Sequence, residues 1–577
     1  MSANRLVSTL AIGLGLIVES YAQYNTTSLP VSNSTYDYIV VGGGPAGLVS
    51  SQRLTETGKT VLLIERGGPS TASSGGTQFV PWNTNYTMYD VPGSFFSLPQ
   101  VTNLSAYCTD IPSLGGCILG GGGSINGMAF IHPTSFDFND AWPETWKWDD
   151  VEEASERLYA RNPGTLLPSA DGKVYDRASI DLMEPIFKEA GWVYNDGFAN
   201  PDNKEKVYGR PQVNIANGIR SGPIHTYLPL AQASPNFKLE LNTKVIRVVR
   251  TGSLITGVEV ENAAGRQIIN LKTGGAVILT AGVMSTPRVL FNSAIGPAAQ
   301  INIVKAAETG ITVPESDWIN LPVGLGVKDH SRYYIRFNVT GGLSVKTTPE
   351  LLAPTEEEKQ LFYAGSGVLT QSFQRLDLYR AHTTSDGHKI YFQIHCSSRT
   401  KDVVELMIMI SHGITSVGEL GILPNGNTAF IKKPWTNTDT DREAWALALD
   451  EFLDLARKPN SPIVYTGGPN ATSASILSAE PQDVVHMVGT ARIGTDDGRT
   501  GGSAVVDLDT KVYGTDNLFV IDASIHPDVP VGNTQAIVMV VAERAVERIV
   551  ALRGESMKPA DVPASYPTNE PSEPDCQ

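Results

Sequence analysis

Cysteine is scarce, with only Cys108, Cys117, Cys396 and Cys576 in 577 residues. So few sulfurs exclude a fold held together by disulfides, and nothing in the chain has the spacing of a metal site. Cys108 and Cys117 flank a short loop and would bridge in an oxidising compartment. Cys396 and Cys576 lie far apart, which leaves both pairing and free thiols open. Positive charge is also short. Lys and Arg total 44 against 60 Asp and Glu, a formal charge of −16. That balance argues against nucleic acid and anionic membrane as partners. Long apolar runs are missing too. The one near the start, Leu6 to Val18, is too short to span a bilayer. With Arg5 before it and Ser20-Tyr-Ala22 after it, the run reads as a signal peptide over residues 1–22. Six Asn-x-Ser/Thr sequons, at Asn25, Asn33, Asn85, Asn103, Asn338 and Asn470, agree with a secreted, extracellular protein. Internal repeats are absent.

What the chain does have is glycine in organised blocks. An apolar run ending at Val41 leads into Gly42-Gly-Gly-Pro-Ala-Gly47, then a helical stretch to Thr57, then Thr60-Val-Leu-Leu-Ile64 and Glu65. This is strand, turn, helix, strand and acid. Gly42 serves the tight turn, Gly44 the approach of a pyrophosphate, and Gly47 close packing of helix on strand. Glu65 follows Gly47 by 18 positions and can accept from a ribose hydroxyl. A second block, Leu114 to Gly127, holds seven glycines in fourteen positions, interleaved with Ile118, Leu119 and Ile125. A flexible linker would not carry those apolar residues, so the backbone there must come close to something.

The rest reads as alternating elements. Residues 23–35 form a polar lead-in, and the nucleotide unit is expected to start at about 36. Residues 69–115 lack periodicity. Phe237 to Val249 reads as one strand with a hairpin return at Gly257–Glu261, and Ala276–Thr280 as a buried strand. Runs such as Tyr333–Val339 and Leu406–Ile410 predict an antiparallel sheet. Asp441–Arg457 and Thr534–Leu552 read as helices, and the tail from Gly554 as extended.

Taken together the sequence resembles the glucose–methanol–choline (GMC) oxidoreductases, over about residues 36–552. Four blocks in family order carry the likeness. They are Gly42–Gly47 with Glu65-Arg66, Gly120–Gly127, Ala281 to Pro297, and His486-Met-Val-Gly-Thr490 with Asp522-Ala-Ser and Gly532-Asn-Thr534. The third block has Ala294 where glycine is usual. Within the family the closer likeness is to the flavin domain of cellobiose dehydrogenases, carried by Glu65–Ser70, Cys108 with Gly116-Cys117, Ser221-Gly-Pro223 and Trp318–Gly324, among others. The short stretch before Tyr36 leaves no room in this chain for the haem domain that such proteins often carry. The chain departs at the substrate end. Val484-Val485 stands where the relative has Ser-Asn, and Met409 near an expected tyrosine.

The resemblance implies an α/β plus α+β protein. A discontinuous Rossmann-like FAD domain (36–130, 225–300 and 490–553) intergrows with a substrate domain on an antiparallel sheet (131–224 and 301–489), followed by the tail 554–577. It implies FAD contacts from Gly42, Gly44, Pro45, Ala46, Gly47, Glu65, Arg66, Gly122, Ser124, Asn126, Gly127, Met128, Val245, Asp522, Ala523, Asn533 and Thr534. His486 stands at the catalytic position as base, because a histidine titrates near working pH. Asn533 stands at the second catalytic position, where an amide can hold the alcohol oxygen; it could equally cap the helix that follows. His526, seven positions before Asn533, competes for that role. Some relatives bond the flavin covalently through a histidine in the glycine block. Asn126 stands there instead, so the FAD is expected to be non-covalent, with His132 the histidine nearby.

The activity this implies is oxidation of a sugar hydroxyl by hydride transfer to the flavin, with electrons passed to a quinone or other acceptor. Glucose, fructose and cellobiose are the candidate sugars, and the enzyme is expected to be a monomer. The alternatives are a sugar or aryl-alcohol oxidase making peroxide, a hydroxynitrile lyase on the same fold, or a flavin-binding protein without activity.

Overall fold

The computed structural model describes residues 29–98, 106–307 and 313–558. The expected signal peptide, Asn25, Asn103, Cys576 and most of the expected tail lie outside the described residues.

Two large sheets organise the chain. The first runs in the order Lys244–Thr251, Leu254–Asn262, Gly265–Leu279, Val31–Val41, Val61–Ile64, Phe237–Glu240, with Leu518–Val520 also paired to Gly265–Leu279. Its centre is parallel. Ile39 pairs with Leu62 on one side and Val277 on the other, and both faces are covered. That burial explains why these strands read as continuous apolar runs rather than alternating ones. The helix Pro45–Thr55 packs against it, Gln535–Leu552 packs on that helix, and Trp148–Arg161 packs on Gln535–Leu552. Residues 46–55 of the first helix are buried on every side, including Arg53. Arg53 is accommodated in an ion network with Glu56, Arg157, Arg161, Glu543 and Glu547.

Two expectations change here. The first strand starts at Val31, not at about 36, so part of the polar lead-in is an exposed strand end paired to Ile268–Leu271. The stretch 237–249 is two strands. Asn242, at φ +54°, turns the chain; its N–H donates to the Gly67 carbonyl and the Thr243 N–H to that of Glu65. Phe237–Glu240 then lies at one edge of the sheet and Lys244–Thr251 at the other. Asparagine tolerates the left-handed conformation that this break needs.

The second sheet runs Ile463–Tyr465, Ser331–Val339, Val403–Ile410, Lys389–Thr400, Leu376–Thr383, Val207–Gly209, Val193–Tyr194, with Gln482–Asp483 also paired to Ser331–Val339. Its long strands are antiparallel. One face carries Tyr333, Ile335, Phe337, Phe392, Ile394, Leu406 and Ile408, and packs against the helices Ala178–Glu189 and Asp439–Arg457. Strand alternation sends the intervening residues to the other face. That face meets the first half of the molecule, where Tyr379, Ala381 and Tyr391 pack on Ala129, Ile131 and Val531. Cys108 and Cys117 are bridged, and Cys396 is buried without a bridge. Among the described residues no helix is long and apolar enough to cross a membrane.

Candidate active site

The glycine blocks form one cradle. Gly42 has φ +110°, and a Cβ there would lie 2.4 Å from the Thr280 carbonyl oxygen; one on Gly47 would lie 1.9 Å from that of Gly42. Neither position admits a side chain. A Cβ on Gly44, Gly122 or Gly282 would meet nothing within 4 Å, so these three border open space. The Gly120 N–H donates to the Gly43 carbonyl at 2.8 Å, which joins the two blocks. The helices Pro45–Thr55 and Gln535–Leu552 both begin with no side-chain cap and no acid in the first turn. Their free N–H groups and dipoles suit an anionic ligand. The open glycines and uncapped N-termini fit a bound dinucleotide.

Each residue expected to hold FAD can be located. Pro45 and Ala46 open the first helix. Glu65 is buried and accepts from the Gly43 and Gly67 amides at 2.7 Å each; burial pushes its pKa up despite those donors. Arg66 forks onto Asp110 at 3.1 and 2.8 Å. Ser124 bonds the Leu119 carbonyl inside its own loop and the Ser70 hydroxyl across from it. Asn126 is clamped by Gln535 at 2.6 Å and Arg220 at 2.7 Å, and receives the Met128 N–H. The Gly127 carbonyl accepts from Ser372, and Met128 is buried at φ +62°. Val245 lies on the edge strand of the first sheet.

Asp522 follows the strand Leu518–Val520 beside the cradle. Its carboxylate is engaged by Gly282, Thr286 and Ser524, at 2.9, 2.6 and 2.8 Å, so it organises the turns around the cradle. Ala523 follows on that turn. Thr534 is the N-cap residue, with no side-chain bond.

His486 and Asn533, 47 positions apart, meet. The Asn533 Nδ2 lies 3.1 Å from His486 Nε2, so its side chain faces the histidine rather than capping the helix. Asn533 is set by its loop. Val531 N–H donates to Asp137 at 2.7 Å, and a Cβ on Gly532 would lie 2.6 Å from Ile131. His486 is held from the segment 328–330. Asp329 accepts the His486 N–H and the Trp435 indole, each at 2.8 Å, and Val484 N–H donates to the His330 carbonyl at 3.1 Å. Burial pushes Asp329 up to about 7. The His330 ring touches His486 directly, Nδ1 to Nδ1 at 2.9 Å, and its Nε2 bonds the Pro530 carbonyl at 2.8 Å. Val485, just before His486, has φ +67°, a strained conformation for a branched residue. His486 keeps part of its surface accessible. Burial of its ring, then the charges of His330, His395 and Arg332, hold its pKa well below the ordinary histidine value.

The second sheet supplies the facing wall. Arg332, Met409, Met407, Gln393, His395, Asp377 and Tyr379 share the face opposite the helices. His395 Nδ1 bonds Asp377 at 2.5 Å. Phe373 stacks on Phe95 at 5.2 Å, stands edge-on to His395, and lies 2.5 Å from where a Gly127 Cβ would be. Asn533 Oδ1, His395 Nε2, Gln393 Oε1 and Arg332 Nε are buried without a hydrogen-bond partner. Such atoms are costly unless a ligand or water meets them.

The other two candidate histidines stay out of this group. His526 is fully buried, edge-on to Trp142 with no hydrogen-bond partner for either nitrogen, and burial lowers it to about 3. His132 stacks on Tyr159 at 4.5 Å and bonds the Pro133 carbonyl. Asp329, His330, Gln393 and His395 were not expected from sequence. The alternation of Gln393 and His395 with apolar Phe392, Ile394 and Cys396 was the available signal for the last two.

Residues 36–332 and 418–542 match two family models, both described as GMC oxidoreductase. The chain is 27% identical over 568 residues to an oxygen-dependent choline dehydrogenase of Vibrio vulnificus, covering 89% of this chain and 94% of that one. Its fold is similar to that of pyridoxine 4-oxidase from Mesorbium loti, with a TM-score of 0.67, 21% identity and coverage of 89% and 98%. It is also similar to a fungal aryl-alcohol oxidase, with a TM-score of 0.67, 18% identity and coverage of 90% and 100%.

Proposed function

The chain belongs to the GMC oxidoreductase family and is an FAD-dependent enzyme acting on CH–OH groups; from that premise we propose that its substrate is a sugar and that it works outside the cell. His486 is the base and Asn533 the residue that orients the alcohol oxygen. FAD, bound in the cradle, supplies the hydride acceptor. Everything else falls to the protein. His486 Nε2 takes the hydroxyl proton, and low basicity keeps that nitrogen free across the neutral range. Asn533 fixes the oxygen from one side, and the sheet face holds the rest of the molecule.

The observation that carries the sugar reading is the set of unpartnered atoms on Asn533, His395, Gln393 and Arg332. It mixes donors and acceptors, and each hydroxyl of a sugar can both donate and accept. The cation of Arg332 beside His486 opposes a quaternary ammonium, so choline is a poor fit despite the choline dehydrogenase relatives. Glucose, fructose and cellobiose are the candidates, and a quinone or other small acceptor takes the electrons. The FAD is non-covalent in this reading, supported by Asn126 at the glycine block and the engaged ring of His132. Secretion is supported by the leader, the Cys108–Cys117 bridge and the exposure of Asn33, Asn85, Asn338 and Asn470.

An anaerobic flavin-bleaching screen against monosaccharides, disaccharides, choline and benzyl alcohol tests the substrate. Bleaching by choline but by no sugar would sink the sugar reading. A second reading, an oxidase for aryl alcohols, is favoured by the stacked Phe95 and Phe373. Peroxide formed during turnover with benzyl alcohol would select it.

A further inference from the structure

We infer that His330 is a positioning residue that fixes the tautomer of His486. The inference deepens the reading of His486 as base and rests on it. One chain of contacts, from the Pro530 carbonyl to the Asn533 amide, fixes where each proton sits. The Pro530 carbonyl can only accept, and it lies 2.8 Å from His330 Nε2, so that nitrogen carries a hydrogen. A neutral His330 then has a bare Nδ1. His486 Nδ1 lies 2.9 Å from it, so the hydrogen of that contact belongs to His486. A neutral His486 is thereby left with a bare Nε2, the nitrogen 3.1 Å from the Asn533 amide. The amide must present its NH2 there, which turns its oxygen, the unpartnered Oδ1, to the other side.

Reversing any link brings two lone pairs or two hydrogens together at hydrogen-bond distance. A carbonyl on a proline thus sets the direction of every bond up to the base. Only the Nδ1 side outlasts proton transfer, because a hydrogen gained at Nε2 meets the Asn533 NH2 and that contact must give way. When Nε2 takes a proton, the Nδ1–H still donates, and the bare His330 nitrogen faces the new cation. The titratable and charged groups around this pair are few. His412 faces His330, while His395 and Arg332 face His486 and Asp329 holds its main chain. None of them offers Nδ1 of His486 a competing acceptor among the hydrogen bonds of the described residues. His330 and His486 are held as neighbours because segments 328–330 and 484–488 run antiparallel, with Lys328 bridged to Val488.

The test is 15N NMR of the histidine-labelled, FAD-loaded enzyme, with His486 assigned by its absence in His486→Ala. The wild-type ring should show a protonated Nδ1 and a bare Nε2. His330→Leu should lose that pattern, and its rate of flavin reduction should fall by roughly 10²–10³-fold with KM little changed. His330→Gln keeps one donor and one acceptor and should recover most of the rate. A wild-type His486 with its proton on Nε2 would overturn the inference, as would a His330→Leu enzyme that keeps both tautomer and rate. The wild-type spectrum decides the matter even where His330→Leu fails to fold. Failure of the base reading is distinguishable, because it would appear as flavin reduction surviving in His486→Ala.

Discussion

Replacing Asn533 by aspartate changes one donor into a negative charge at almost constant shape. The donor in question lies 3.1 Å from His486 Nε2. A carboxylate at that distance favours the imidazolium, and an opposite charge so close raises a histidine by roughly 1–3 pH units. In the wild type, burial and neighbouring positive groups hold His486 well below its ordinary value, so its free base persists as the solution is acidified. The base works unprotonated, so raising its pKa moves the acid limb of the rate profile to higher pH, and the lost donor lowers the alkaline plateau as well. The free base and the rate should drop by a factor that grows as pH falls below the new pKa and reaches about 10- to 1000-fold below the wild-type value. Anaerobic stopped-flow bleaching of the flavin, at saturating substrate from about pH 5 to pH 9, reads this directly. Asn533→Ala is the control. It removes the donor without adding charge, so its plateau should fall while the limb stays in place. An Asn533→Asp profile whose acid limb sits at or below that of the wild type would refute the geometry.

Three other outcomes are expected. His526→Phe should leave flavin reduction within about a few-fold, since His526 lies outside the catalytic group. His526 is neutral when folded, at about 3. The stability tied to it is present above its unfolded pKa and lost progressively as pH falls below that pKa toward about 3, so the variant should resist acid unfolding better than the wild type, as read by circular dichroism against pH. Glu543 is fully buried against Arg53, Arg157 and Tyr227 at 2.9, 2.8 and 2.7 Å. Glu543→Gln strands buried cations and should cost on the order of 3–5 kcal/mol in urea unfolding; an unchanged midpoint would show that the network carries little. Acid precipitation should release all the FAD into the supernatant, whereas a yellow pellet would reveal a covalent link.

The parts of the molecule that sequence exposed best are those where backbone chemistry restricts the residue. Gly42 and Gly47 are irreplaceable because a methyl group has no space, and glycine spacing therefore shows in the sequence. Ala294 stood out where glycine is usual, and its φ of +58° explains the family preference. His486 and Asn533 were legible through the blocks around them. The sheet face was harder. Met407, Met409, Gln393, His395 and Arg332 become one wall only when the strand order is known, and no local pattern states which strands pair. His330 was hidden for a different reason. It sits in Lys328-Asp-His-Ser331, with neither glycine nor motif to mark it, 156 positions from its partner. The break at Asn242 shows the converse problem, since an alternating apolar pattern ran straight through a turn.

The backward step at Val485 has a bearing on heat. A branched residue at φ +67° holds something on the order of 1–3 kcal/mol of conformational energy next to the base. The opposing restraints are a few contacts, chiefly Asp329 to the His486 N–H and the rung between Val484 and His330. Gln482–Asp483 pairs with the second sheet and Val488 lies in its core, so the turn is anchored at both ends and strained between them. The loop is therefore a sprung catch, and on warming it lets go of the histidine while the sheets are still intact. The enzyme should lose flavin reduction at a lower temperature than it loses its far-ultraviolet circular dichroism, and coincident transitions would show that the loop melts with the sheets.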